Sequence, residues 1–268
     1  MIGELLQAML LIALCYAETG SRFSETGGAY LYARAAFGRF IGFEVGWMQW
    51  FVRASSQAAI VSGIAAAISY YWAGASRGWG KALIVSSITL LIAYLHTRGI
   101  RQSALAIRCF TVAKLVPLLI FIVAGLWLMD GGTLPPFPGV SPHEAAAAGF
   151  LLTFAFGGFE TIPVICGEAK NPRRDVVYAL ISTLVCVTIV MSLAQLVYIA
   201  SSRGITDSAT PLADSAGLLM GWVGAAMIGA GSLISMFGSN VGGSLAASRM
   251  LFAFAENEDS PEAFASIH

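Results

Sequence analysis

Charge is what this sequence has least of. Asp, Glu, Lys and Arg make up 11% of its 268 residues, against 57% hydrophobic residues, and the formal net charge is zero. A water-soluble domain of this length could not cover such a chain with polar surface, so a bilayer is the expected solvent. No polar domain is appended, and residues 1–268 are expected to form a single transmembrane domain. The opening stretch has neither a basic leader nor a clear small-residue cleavage site, and Glu4 interrupts it, so it reads as a retained helix. CxxC spacing is absent. Cys15, Cys109, Cys166 and Cys186 fall inside or beside apolar runs and are expected to be inert buried thiols. His96, His143 and His268 are scattered, with no HExxH or other metal spacing. No metal, cofactor or catalytic residue is implied, and the chain is not expected to be an enzyme. Cations are too few for a nucleic-acid partner.

Long apolar runs fill the space that charge leaves. At about 1.5 Å per residue, near twenty such residues cross a hydrocarbon core about 30 Å thick. Seven candidate spans follow, at about 2–17, 40–70, 82–96, 104–129, 145–167, 176–200 and 215–247. The last is long enough to be one tilted helix with a cytoplasmic extension. Lys and Arg in short loops set orientation. Arg22, Arg34 and Arg39, then Arg98, Arg101 and Arg108, then Lys170, Arg173 and Arg174, and finally Arg249 mark one side as cytoplasmic. The alternate connections carry Arg77 and Lys81, none in DGGTLPPFPGVSPHE, and Arg203, so they are expected to face outward. This predicts a multi-pass protein of the cell (inner) membrane with its amino terminus outside and its carboxy terminus cytoplasmic.

The fifth run contains FAFGGFETIPVICGEAKNPRRD, residues 154–175, with two glycines and a glutamate at mid-depth. Gly157 and Gly158 free the backbone there. Unpaired N–H and C=O groups are intolerable against lipid but serve transporters where an unwound segment lines an enclosed site. The half-helix ends would offer amides to a carboxylate and carbonyls to an ammonium, which suits an amino acid zwitterion. Phe154, Phe156 and Phe159 would supply an apolar wall or gate, beside Glu160. The competing reading is that the glycines only permit close helix packing.

Three ordered motifs then resemble the amino acid-polyamine-organocation permeases. CYAETGSRFSETGGAYLYARAAFG, residues 15–38, is similar to that family's link between its second and third helices, with TGGAY as the specific core. FAFGGFE followed by GEAKNPRRD resembles its broken sixth helix and the loop after it. ASRMLFAFAENEDSP, residues 247–261, is similar to the end of its eighth helix, although the family usually has a more basic or glycine-containing turn where this chain has Glu256 to Asp259. The resemblance covers nearly the whole chain. It implies an all-α integral membrane fold of about seven helices, family helices two to eight. This is a partial LeuT-type five-plus-five inverted repeat lacking the first and last helices, and such a fragment is expected to be incompetent for transport alone.

The resemblance also bears on Lys114, in TVAKLVPLL. In sodium-independent members, a lysine in a similar KL context places its amine where sodium sits in coupled relatives, so Lys114 is a candidate proton or coupling-ion site. The plainer reading is snorkelling toward the surface near Arg108, about 9 Å away along the helix. Ser232, Ser235 and Ser239 form one stripe that would face Lys114, though serines in membrane helices more often bond to their own backbone. Arg53 lies about 18 Å along a regular helix from Ile41, near the bilayer centre, and needs a partner. Glu160 or a substrate carboxylate would serve, with Gln49 one turn away, and a purely structural ion pair is an equal alternative. Gly42 with Gly46, and Gly238 with Gly242, have GxxxG spacing, for which close packing is the default meaning.

Together these features predict a secondary active transporter for amino acids or related amines, proton-coupled or an exchanger. The substrate would be held by Phe156, Gly157, Gly158, Phe159, Glu160 and Arg53, and the coupling site formed by Lys114, Ser235 and Ser239. The expected partners are the amino acid or amine, a proton or exchanged amino acid, and the lipid bilayer. The rival is a seven-helix receptor or photosensor, with Lys114 as a Schiff-base lysine.

Overall fold

The computed structural model describes residues 2–69, 72–97, 100–128, 141–201, 208 and 210–265, and no β-strand occurs among them. The α-helices are α1 (Ile2–Gly20), α2 (Ala29–Phe37), α3 (Arg39–Ile68), α4 (Gly78–Thr97), α5 (Ile100–Leu128), α6 (Pro142–Phe156), α7 (Pro172–Ser201) and α8 (Pro211–Glu256). Three of them begin on proline, after Ser141, Asn171 and Thr210, where the missing proline N–H costs nothing. Ser141 and Glu144 complete a capping box. The Ser141 N–H donates to Glu144 Oε2 at 2.9 Å, and the Glu144 N–H donates to Ser141 Oγ at 3.3 Å.

Five of the helices are long and apolar enough to cross a membrane: α3, α4, α5 over Leu105–Leu128, α7 and α8. Their large side chains face outward to a degree that water would not tolerate, as with Trp79, Trp127 and Trp222, each more than 80% exposed. The expected run at 2–17 is α1, which continues to Gly20. The expected run at 145–167 is not one helix. It is α6, a two-residue turn, and a 3-10 helix at Phe159–Glu168.

Contacts divide the chain into two compact units, and α3, α7 and α8 each contribute residues to both. The first comprises Met1–Ala54, Phe137–Thr188 and Ala246–Ile267. In it Met9, Ala13 and Ala17 of α1, spaced one turn apart, pack on Val176, Leu180 and Leu184 of α7 and on Phe159. A second cluster joins Tyr30 and Leu31 of α2 to Val164 and to Met250, Ala253 and Phe254 of α8. Gly46 of α3 is the close approach this cluster requires, because a Cβ there would sit 2.5 Å from Phe254 Cε1.

The second unit comprises Ser55–Pro136 and Ile189–Leu245. Phe121 and Ile122 of α5, Ala194 and Val197 of α7, and Ala216 and Ile228 of α8 form its larger core. Buried Asn240 of α8 donates to the Gln57 carbonyl of α3 at 3.2 Å.

Several expectations are corrected. The run at 215–247 is not one continuous helix, because Gly221 adopts φ 67 and ψ −162, which no helix accommodates, and breaks the ladder inside α8. Cys15, Cys109 and Cys186 are free but exposed rather than buried, on helix faces turned outward, where an apolar thiol is compatible with hydrocarbon. Of the four GxxxG glycines, Gly42, Gly46 and Gly238 make close approaches, while a Cβ on Gly242 would meet nothing within 4 Å. Arg98, Arg203, His268 and most of the loop at 130–144 lie outside the described residues, as do the side chains of Phe154, Cys166 and Arg101.

Candidate functional site

The α6 ladder ends at Phe156, and Gly157 and Gly158 form a turn before the 3-10 segment begins at Phe159. Gly158 adopts φ 114, a conformation that side-chain-bearing residues rarely take, so glycine there makes the interruption possible. The freed groups are partly met locally. The Gly158 N–H donates to Glu160 Oε2 at 2.7 Å, and the Gly158 carbonyl accepts from the Thr161 N–H at 3.0 Å and from the Thr161 hydroxyl. One amide expected to be open to a substrate carboxylate is therefore capped by the chain's own glutamate.

Arg53 of α3 approaches Glu160. Its Nη2 lies 3.7 Å from Glu160 Oε1, an ion pair too long for a hydrogen bond. Arg53 is 9% exposed, and its Nε and Nη2 are buried without a hydrogen-bond acceptor. The structure thus brings Arg53, Gly158 and Glu160 together. Phe159 is buried, edge-on to Tyr16 with ring centroids 6.0 Å apart, inside the α1–α7 cluster, and Phe156 packs against that cluster half-buried. Gly157 and Gly158 are exposed.

The segment after the break is held by the TGGAY motif. Gly27 donates its N–H to the Val164 carbonyl at 3.2 Å. A Cβ on Gly28 would lie 3.1 Å from Val164 Cγ2, and one on Gly167 would lie 2.4 Å from Thr26 Oγ1. Gly27 and Gly28 both have positive φ, so the two glycines let the turn before α2 dock against the unwound stretch.

Lys114 is half-buried on α5, and no hydrogen bond or ion pair joins it to Ser235 or Ser239 among the described residues. The helices nonetheless pack closely. A Cβ on Gly238 would lie 2.7 Å from Phe110 Cβ, and one on Gly231 would lie 3.1 Å from Pro117, a register that puts Lys114 level with Ile234 and Ser235. Ser232 bonds its own helix, donating to the Ile228 carbonyl at 2.9 Å, and Ser239 is exposed.

Sequence reasoning missed a second charged cluster, at Asp259. This carboxylate accepts from the Tyr30 hydroxyl at 2.6 Å, from Arg39 Nε at 2.6 Å and from Arg34 Nη1, and its side chain is 4% exposed. Burial alone would raise the Asp259 carboxyl, but the hydrogen bonds from Tyr30 and Arg39 and the Arg34 charge outweigh it and hold it below the usual range. Burial and the same carboxylate push the Tyr30 hydroxyl well above its ordinary value. The chain reaches Asp259 through a helix end with Glu258 at φ 60, where the Asp259 N–H caps the Phe254 carbonyl at 2.8 Å and the Glu258 N–H caps that of Ala255 at 3.1 Å. The departure noted at Glu256 to Asp259 supplied the only signal.

Long apolar helices, and a span that unwinds beside a half-buried ion pair, define an all-α multi-pass membrane protein. The chain belongs to the amino acid permease family, whose sequence profile matches residues 4–268. It is similar to the serine/threonine exchanger SteT of Bacillus subtilis, 28% identical over 98% of this chain and 62% of that protein. The glutamate/serine transporter AimA of the same organism is 28% identical over 97% of this chain and 53% of the relative. An arginine/agmatine antiporter of Chlamydia abortus is 26% identical over 90% and 53%. The chain spans between 53% and 62% of the length of these relatives. By name they are transporters and exchangers, not enzymes, and the resemblance to amino acid-polyamine-organocation permeases holds along the chain.

Proposed function

We propose that this chain acts in the secondary active transport of amino acids or related amines, as an exchanger or a proton-coupled carrier. The substrate is held where α6 gives way to the 3-10 segment, by Phe156, Gly157, Gly158, Phe159 and Glu160 with Arg53. The arrangement is a partial LeuT-type inverted repeat of about seven helices, with the amino terminus outside and the carboxy terminus cytoplasmic. The observation that carries this reading is the interruption at Gly157–Gly158 within an apolar run, beside the Arg53–Glu160 pair. Irregular backbone in a membrane protein is tolerated where it is buried in protein or lines a cavity, and an unwound span beside intramembrane charge is the arrangement transporters use for small polar substrates.

Lys114 is the coupling residue in this reading, with Ser235 level with it on α8 and Ser239 one turn further on. An ammonium within an apolar helix is costly enough to suggest a role beyond packing. Membership of a permease family favours the carrier over the receptor or photosensor.

The test is ligand-dependent thermal stability of the purified chain in detergent. A bound amino acid at about 100 times its Kd contributes about 2.7 kcal/mol and raises the melting temperature accordingly. No shift with any amino acid or amine, together with visible absorbance after addition of retinal, would replace the carrier with the photosensor.

A further inference from the structure

We propose that one stripe of α7 carries a binding site for an anionic phospholipid, with the headgroup phosphate on Arg174 and one acyl chain in the groove that runs from it.

This open groove, of about 540 Å³, is lined by Arg174, Val177, Tyr178, Ile181, Ser182 and Val185. The positions recur at three and four residues, so they form one stripe of a single helix. Its volume is within the range of sites that hold small ligands, about 300–1,000 Å³. From Arg174 to Val185 the helix rises about 16 Å, close to half of a hydrocarbon core about 30 Å thick. The groove therefore covers the depth of one leaflet, with its cation at one end. Ser182, the polar residue further along the stripe, donates back to the Ala179 carbonyl at 3.3 Å and leaves that part of the lining apolar.

The charge at the mouth has no partner in the protein. Arg174 is exposed and makes no ion pair among the described residues. Asp175, beside it in sequence, is turned to the Asn171 N–H, which donates to its Oδ2 at 3.1 Å. Lys170 and Arg173 are exposed at the same end and do not line the groove. A phosphate complements such a mouth, since a guanidinium can pair two of its oxygens at once. Tyr178, one turn from Arg174 and 76% exposed, sets an aromatic ring with a polar tip at headgroup level. A soluble anion would use the cation and leave the apolar groove empty. A zwitterionic lipid would fill the groove but bring a choline ammonium to a mouth that is already cationic. An anionic phospholipid matches both features. The site is independent of the substrate reading, because all of its residues lie beyond the interruption at Gly157–Gly158 and none takes part in it.

Native mass spectrometry of the purified 268-residue chain, released from nanodiscs of equal parts phosphatidylglycerol and phosphatidylcholine, tests this. The retained lipid is expected to be phosphatidylglycerol by at least about fivefold, the factor that one basic residue near an anionic lipid supplies. Arg174→Gln is expected to lower that preference about fivefold, Arg174→Lys to keep part of it, and Arg173→Gln, outside the groove, to cost clearly less. Ile181→Trp fills the groove without touching the charge and is expected to lower phosphatidylglycerol retention by a similar factor to Arg174→Gln. Arg173, Arg174 and Ile181 are all exposed, so none of these variants disturbs buried packing. Equal retention of the two lipids, equal losses in Arg173→Gln and Arg174→Gln, or undiminished retention in Ile181→Trp would overturn the site. So would glycerol phosphate binding as tightly as the lipid to the chain in phosphatidylcholine nanodiscs, which would make this a plain anion site. A lipid-free dimer would overturn it too, by making the stripe an interface between copies.

Discussion

Two arginine–carboxylate clusters in this chain are built in opposite ways. At Asp259 one buried carboxylate accepts from a tyrosine and two arginines, and the chain beside it is tied down by a capped helix end. At Glu160 one carboxylate is shared between a backbone amide and an arginine it does not reach, leaving two guanidinium donors without acceptors. The first arrangement is complete and has no capacity for a ligand. The second leaves buried donors unmet, which costs folding free energy and leaves them open to a further acceptor. The two glycine interruptions divide similarly. Gly158 opens beside charge, whereas Gly221 opens beside Met220 and exposed Trp222 and only turns the chain.

If this contrast is right, substitutions at the two clusters should part stability from binding. Asp259→Ala should have the largest effect, a loss of about 3 kcal/mol in detergent unfolding, because it leaves Arg34 and Tyr30 facing each other without their acceptor. The pH dependence follows the same group. The folded Asp259 carboxyl lies below its unfolded value, so its contribution is complete above about pH 4 and is lost as pH falls through the folded value. Wild type should therefore lose stability in acid more steeply than Asp259→Asn, and parallel curves would remove Asp259 from the account.

Gly158→Ala should cost about 1–3 kcal/mol through backbone strain alone, since a Cβ there meets nothing within 4 Å. A neutral result would mean that the turn relaxes and the interruption is not fixed. Glu258→Gly should raise stability by about 1 kcal/mol by relieving a left-handed glutamate, sharpening the view that the Asp259 end is a fold-holding device. Smallest of all, Glu160→Gln should change stability by about 0.5 kcal/mol or less, because the pair it breaks is long and its glutamate is about a third exposed. A loss comparable to that of Asp259→Ala would show that both clusters are structural.

What the sequence made legible was local. The break at Gly157–Gly158 could be read because two adjacent glycines and a glutamate stand in an apolar run, and Arg53 could be paired with Glu160 because helical rise puts Arg53 at mid-depth. The Asp259 cluster could not be read, because its partners Arg34 and Arg39 lie more than two hundred residues away and the departure at Glu256 to Asp259 marks an unusual turn without naming them. Gly221 was lost among the many glycines that membrane helices use for packing, since only its φ distinguishes it. Phe159, read from its flanking position as a wall for substrate, also packs edge-on to Tyr16 within the α1–α7 cluster, a contact that spacing does not determine.

Hydrogen exchange at the amides of 157–161, with and without saturating serine or glutamate, tests the central claim most directly. Binding at the interruption should slow exchange there, while the capped helix end at 257–259 exchanges at an unchanged rate. Protection that appears elsewhere and leaves 157–161 unaltered would contradict it.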